Sequence, residues 1–193
     1  MTTNDLDEVE ISGKLTRLRE FRRSDGPDAF AIVGDDRVTR FLSFDSRNRE
    51  AAQTMINDAV QRAKIRPRNE YYLGMTELGA DRLIGFCRLG LTGVRAAKLG
   101  YAVMAHHWRK GYAADAVRTT LEFAFGQLDL HRVTAAIGPD NVASQNVVER
   151  LGFVREGLLR DHVFTNGAWR DSVLYSVLAD EWSVSARTEA RSG

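Results

Sequence analysis

The stretch Val103-Met104-Ala105-His106-His107-Trp108-Arg109-Lys110-Gly111-Tyr112-Ala113-Ala114 decides how this 193-residue chain is read. An apolar run enters a loop holding Gly111. Small Ala113 and Ala114 then open a segment that carries Val117, Leu121, Ala124 and Phe125 on one helical face. The first N–H groups of a helix lack partners inside it, and the helix dipole adds positive potential there. A strand, loop and helix in this order therefore suit a phosphate or pyrophosphate. Gly111 lets backbone and ligand approach closely, Ala113 and Ala114 keep bulk away, and Arg109 and Lys110 bring charge to the rim. The alternative reading is a plain strand-to-helix turn with a solvated Arg-Lys pair. Lys110 is followed by Gly111, not Ser or Thr, so the P-loop pattern is missing, as is the dinucleotide Gly fingerprint. NTP hydrolysis and nicotinamide chemistry are disfavoured on that ground.

Upstream, Leu15, Leu18 and Phe21 predict a first strand, and Asp25 with Pro27 predicts the start of a short helix. Ala51, Ala52, Met55, Ile56, Ala59, Val60 and Ala63 recur at steps of three and four, which predicts a helix over 46–64. Strand-like runs follow at 71–76 and 82–91, joined through Gly79 and Asp81 as a hairpin, and a third lies at 99–104. Downstream come a short strand over 132–137, a break at Gly138-Pro139-Asp140-Asn141, and a helix over 143–151 ended by Gly152. Two alternating runs, 153–164 and 169–178, flank Asn166-Gly167, a strong hairpin-turn signal. The order predicts an α/β (α+β) class with a mixed sheet in one domain over 11–182. Polar residues 1–10 and 183–193 read as flexible tails.

Composition agrees with a globular domain, with 44% hydrophobic and 27% charged residues. A net charge of +1 disfavours a strongly basic nucleic-acid binder. The lone Cys87 excludes an internal disulfide framework and a Cys-based zinc cluster, and no metal is expected. The acidic start MTTNDLDEVE lacks the features of a signal peptide, and no apolar run reaches the ~20 residues that span a bilayer. A cytoplasmic location without membrane partners follows as an expectation.

A second constellation, Asn141-Val142-Ala143-Ser144 with Glu149-Arg150-Leu151-Gly152-Phe153, makes the reading specific. HWRKGYAADAV and NVASQNVVERLGF together resemble the two cofactor motifs of the GCN5-related N-acetyltransferases (GNAT). The opening LTRLREFRRSD and the close NGAWRDSVLYSVL resemble the RimJ/RimL-type branch. The resemblance spans roughly 15–182. It implies a central sheet of about seven strands with about four helices, parted between its fourth and fifth strands, here 99–104 and 132–137. It implies acetyl-CoA as cosubstrate, an amine acceptor, and a monomer or homodimer. The diphosphate would lie on the N–H groups around Arg109, Lys110, Gly111, Ala113 and Ala114. Free backbone groups near Ala102 and Met104 would pair with the pantetheine arm and the acetyl carbonyl, polarising it for attack.

By the same resemblance Asn141 contacts the cofactor arm; its other reading is a cap on the next helix. Ser144 stands where a serine of the RimL-like branch protonates the leaving thiolate; otherwise it is a plain first-turn residue. Two positions depart from the family. Many relatives carry a tyrosine acid where this chain has Val148, and RimL-like enzymes carry a glutamate where it has Val163. Asp161, His162, His106 and His107 remain as general-base candidates, while Asp171 reads as structural or substrate-orienting. Tyr71, Tyr72, Trp108 and Trp169 are candidates for an acceptor pocket, and Cys87 for core packing. The expected activity is acetyl transfer by direct attack of a primary amine on acetyl-CoA. A protein N-terminus, a ribosomal protein or a small amine would serve as acceptor. The alternative is a non-catalytic CoA-binding module of the same fold, and a nucleotide or phosphate-ester enzyme is weaker still.

Overall fold

The computed structural model describes residues 8–182. Its strands are β1 (Glu10–Ser12), β2 (Thr16–Glu20), β3 (Glu70–Glu77), β4 (Leu83–Leu91), β5 (Ala96–Val103), β6 (Arg132–Ile137), β7 (Val154–Thr165) and β8 (Ala168–Leu178). The helices are α1 (Gly26–Val33), α2 (Asp36–Thr39), α3 (Arg49–Arg62), α4 (Tyr112–Gly126) and α5 (Val142–Arg150). Among the described residues all eight strands form one sheet in the order β1-β2-β3-β4-β5-β6-β8-β7. Only β5 and β6 pair in parallel, because α4 carries the chain back over the sheet between them.

Each face of the sheet is covered by helices. Val117 and Leu121 of α4 and Val148 of α5 pack on Leu99, Val133 and Ala135. Ile32 and Val33 of α1 and Ala52 and Ile56 of α3 pack on Tyr72, Leu83 and Phe86 from the other side. Burying a Leu, Ile or Val side chain this completely stabilises the fold by roughly 1.5–3 kcal/mol.

Asp115, in the first turn of α4, ties the helix to the β1–β2 turn. Its carboxylate accepts from the N–H groups of Lys14, Leu15 and Thr16 at 2.9 Å each and from the Thr16 hydroxyl at 2.7 Å. Burial alone pushes this carboxyl up. The bonds from the Leu15 N–H, the Thr16 hydroxyl and the Lys14 and Thr16 N–H groups outweigh that, and its pKa falls below the ordinary 3.8.

The structure amends the expected outline at four points. There are eight strands, and the additional one, β1, begins at Glu10, inside the expected tail; Val9 before it is buried at 2% exposure. Residues 1–7 and the expected tail at 183–193 lie outside the described residues. Asp25 starts α1, but its carboxylate caps nothing there. It grips Arg19 through two bonds of 2.9 and 3.0 Å and accepts from the Arg22 N–H. Helix α2, a single turn, is too short to leave a periodic signal. The counting of strands shifts with β1, so the parted pair is the fifth and sixth, over the residues anticipated.

Candidate active site

Strands β5 and β6 stay paired only from Ala96 with Arg132 to Leu99 with Ala135. Beyond that point β5 continues alongside β4 to Val103, so its other edge is left open. Hydrogen-bond direction alternates along a strand. The Met104 N–H bonds to the Ile84 carbonyl at 2.7 Å, which turns even-numbered positions of β5 toward β4. Arg95 accepts from Arg132, and Ala97 accepts from Thr134, so odd-numbered positions face β6. The groups that open on the gap therefore belong to Tyr101 and Val103. The Val103 carbonyl is taken by the indole N–H of Trp108 at 2.7 Å. The Tyr101 N–H and carbonyl and the Val103 N–H face the gap with no strand opposite.

At the head of this gap the chain leaves the strand and turns into α4. Arg109 and Gly111 both adopt left-handed backbone, with φ of 63° and 85°. Gly111 is the N-cap of α4 and has no side chain to cap it; the first helical bond runs from the Asp115 N–H to the Gly111 carbonyl. The N–H groups of Tyr112, Ala113 and Ala114 are thus left without intrahelical partners, at the positive end of a 15-residue helix. They line a cavity of about 730 Å³ that runs along the gap to Asn141 and Ser144 and carries Arg109 and Arg150 at its margin.

The loop is braced from behind. Glu77 accepts from the Tyr112 hydroxyl and lies 3.5 Å from His107 Nδ1. The Tyr112 bond is the largest cause of a lowered Glu77 pKa, with His107 and Lys110 adding to it.

Across the gap, after β6, stands α5. The Asn141 side chain caps it by accepting from the Ser144 N–H at 3.2 Å, and its amide nitrogen is left for the cavity. The Ser144 hydroxyl has no protein partner among the described residues. Tyr101 spans from β5 to α5, its hydroxyl donating to the Ser144 carbonyl at 3.2 Å. Burial pushes this phenol up to about 12, so it stays protonated.

A second cavity of about 700 Å³ lies over β3, β4 and β5 beside α3. The two share Tyr101 and Leu42 as a common wall. The loop carrying Leu42 is held over the gap from β8, where Arg170 donates to the carbonyls of Arg40 and Leu42. On the same side β7 bulges: its pairing with β8 jumps from Leu159 with Ser172 to Val163 with Arg170. Asp161 sits at φ 47°, and its N–H is taken by the Asp171 carboxylate at 2.9 Å. The bulge leaves His162 Nδ1 at 3.0 Å from the Ser172 hydroxyl. Burial, then the charge of Lys98, lowers the His162 pKa below the ordinary 6.5, so the ring is neutral at pH 7.

A parted parallel pair beside an uncapped helix start is the arrangement the family resemblance implies, and residues 16–154 match the acetyltransferase (GNAT) domain family. The chain belongs to the GNAT acetyltransferases. Among curated relatives, the uncharacterized N-acetyltransferase YoaA of Bacillus subtilis is 29% identical over 166 residues, 83% of this chain and 92% of that protein. The [ribosomal protein uS5]-alanine N-acetyltransferase of Escherichia coli is 28% identical over 116 residues, 58% of this chain and 60% of that one. Mycobacterium smegmatis RimJ, solved in complex with CoA-disulfide, superposes with a TM-score of 0.76 at 22% identity, covering 93% of this chain and 94% of that one. That likeness is one of fold.

Against this GNAT frame, the cavity collects Ala102, Arg109, Gly111, Ala113, Ala114, Asn141 and Ser144. Two residues expected at the cofactor lie differently from the rest. The Met104 N–H is spent on Ile84, and its carbonyl accepts from His107, so it offers nothing to an arm in the gap. Lys110 does not line the cavity and acts instead on Glu77. Ala102 lines the cavity, but its backbone faces β4, and its neighbours Tyr101 and Val103 supply the open groups. Of the aromatic candidates, Tyr72 lines the second cavity and Trp108 the first, whereas Tyr71 packs on Phe123 in the core and Trp169 is 61% exposed against Phe164. His107 lines the first cavity with its Nδ1 turned toward Glu77 at 3.5 Å, and it is not part of the second cavity's wall. Cys87 is buried and its thiol is pushed up to about 12, which leaves it unreactive. Sequence reasoning missed Tyr101 and Leu42; neither carries a motif, and both matter only because strands and loop converge on them.

Proposed function

We propose that this chain is an acetyl-CoA-dependent N-acetyltransferase that acetylates a primary amine by direct attack. One observation carries the reading: the uncapped start of α4 and the unpaired edge of β5 open on a single cavity, which meets a second cavity at Tyr101. In this reading the diphosphate accepts from the N–H groups at Tyr112–Ala114, with Arg109 and Arg150 alongside. The pantetheine arm lies in the gap, pairing with Tyr101 and Val103 and with the Asn141 amide. Acetyl-CoA supplies the thioester; the rest of the chemistry belongs to the protein.

The acceptor's nitrogen attacks the thioester carbonyl from the second cavity. A β5 N–H aimed into the gap stabilises the oxyanion that forms. The C–S bond breaks, and the thiolate takes a proton from the unpartnered Ser144 hydroxyl, which recovers one from solvent. The proton leaving the amine goes through water to His162, which stands outside both cavity walls; its neutral ring can accept it at pH 7. Ser144 is the acid here because Val148, the position many relatives use, is fully buried in the core. A cytoplasmic setting suits the buried, reduced Cys87, and no helix among the described residues is long and apolar enough to cross a membrane.

The test mixes purified protein, acetyl-CoA and a panel of amines and follows free thiol. Release that depends on the amine, with the acetylated product detected, supports the proposal. Thermal stabilisation by CoA with no thiol release from any amine refutes it in favour of a CoA-binding module. Stabilisation by ATP and not by CoA overturns both.

A further inference from the structure

The second cavity carries a charge pattern that bears on the acceptor. Four cations line it, Arg47, Arg62, Arg88 and Lys98, against the single carboxylate of Glu70. Glu70 is buried at 5% exposure and does not face an acceptor as a counter-charge. Its two oxygens are spent as a bracket: one takes Arg62 Nε at 2.5 Å, the other Arg88 Nε at 2.6 Å. A guanidinium has five donors in a rigid fork, so each arginine keeps unused N–H groups. Arg62 and Arg88 remain 39% and 56% exposed at their side chains. Lys98 has no acidic partner among the described residues. The Tyr72 hydroxyl, on the same cavity wall, meets only the Met55 sulfur at 3.6 Å, a weak acceptor. The cavity therefore presents four cations to one carboxylate, an excess of positive charge with N–H donors to spare.

A bare ammonium is repelled from such a surface. We infer that the acceptor is an amine carrying a carboxylate, held by Arg88, Arg62 and Lys98 while its nitrogen reaches the gap at Tyr101. Register supports a short separation between the two groups. Arg88 lies directly opposite Gly100, one residue from Tyr101, and Lys98 lies two residues before Gly100 on the same strand face. The carboxylate and the attacking nitrogen are thus a few bonds apart. The same cations favour the unprotonated amine, which is the form that attacks. This inference rests on the acetyl-transfer reading and deepens it.

Matched acceptors test it. Free L-alanine is compared with L-alaninamide and L-glutamate with L-glutamine, and short peptides with glutamate at the second position are compared with their glutamine counterparts. The free pairs and the peptide pairs separate an amino acid from a protein N-terminus as the source of the carboxylate. In at least one set the carboxylate member has kcat/KM about tenfold or more above its neutral partner, mostly through KM, and the ratio shrinks with added salt. Arg88→Gln and Lys98→Gln each raise KM for the carboxylate member, with CoA affinity as the control for folding. Lys98 touches no buried carboxylate, so its variant remains readable if Arg88→Gln misfolds. Equal kcat/KM across every pair overturns the inference and leaves acetyl transfer standing. If no amine is turned over, acetyl transfer fails, and calorimetry on the CoA-loaded protein still decides the cleft. Tighter binding of the carboxylate members supports the inference, and binding that is equal or absent overturns it.

Discussion

Substituting Gly111 probes the diphosphate cradle and its backbone separately. At φ 85° an L-residue pays roughly 1–2 kcal/mol relative to Gly. A β-carbon there would sit 3.3 Å from Leu15 Cδ1, the far end of a side chain that is 44% exposed and can give way. Gly111→Ala therefore folds, with a melting temperature lower by about 2–8 °C for a domain of this size. Gly111→Glu adds a carboxylate beside the N–H groups of Tyr112–Ala114. A unit negative charge about 4 Å from a phosphate charge, at an effective dielectric near 20, is worse by about 4 kcal/mol, and the flexible side chain recovers part of that by swinging outward. The expected loss in CoA affinity is about 10²-fold. Calorimetry of CoA against pantetheine, which lacks the diphosphate, provides the contrast. CoA binding to Gly111→Glu within about twofold of wild type would falsify the cradle. Equal weakening of CoA and pantetheine would show damage to the whole gap instead.

Three further outcomes are expected. Ser144→Ala lowers kcat about 10²-fold with little change in KM for acetyl-CoA, and an unchanged kcat assigns the thiolate's proton to water. The kcat/KM profile for the acceptor has an acid limb below pH 6.5, because the His162 pKa is lowered and only its neutral ring accepts the proton. Lys98→Met removes a positive neighbour and moves that limb to higher pH, and His162→Gln abolishes it; a limb that ignores both variants excludes His162 as the base. Asp115→Asn turns an amide donor toward the Thr16 cluster and destabilises the fold by about 3 kcal/mol. Because the Asp115 carboxyl is held below 3.8, its contribution is full at pH values above 3.8 and fades as pH falls through its folded pKa. Chemical denaturation of wild type and Asp115→Asn should accordingly converge in strongly acidic solution; a gap that stays constant with pH would place the effect in packing.

The element order and the cradle were legible because both are local. Steps of three and four write the stripes of α3 and α4 into consecutive residues, and the backbone conformation at Asn166-Gly167, with φ of 52° and 73°, is written into two. Gly111 standing where a capping side chain would otherwise be expected announces a helix start that needs a partner from outside. Those features follow from the residues themselves, and they led to the correct family and to the correct pair of parted strands.

What tertiary structure alone decided is direction and convergence. Alternation tells which face a side chain takes, but the edge toward which an N–H points depends on the strand that pairs with it. That is why Ala102 and Met104 yield to Tyr101 and Val103 once β4 is seen to claim the even positions. The bulge that turns His162 toward Ser172 is invisible in a run of alternating residues, since it arises from a mismatch in length between two strands. The basic cleft is assembled from the loop before α3, α3 itself, β3, β4 and β5. Each of its three arginines and its lysine, read alone, is an ordinary surface charge; only the fold gathers the four into one cleft, two of them on one buried carboxylate.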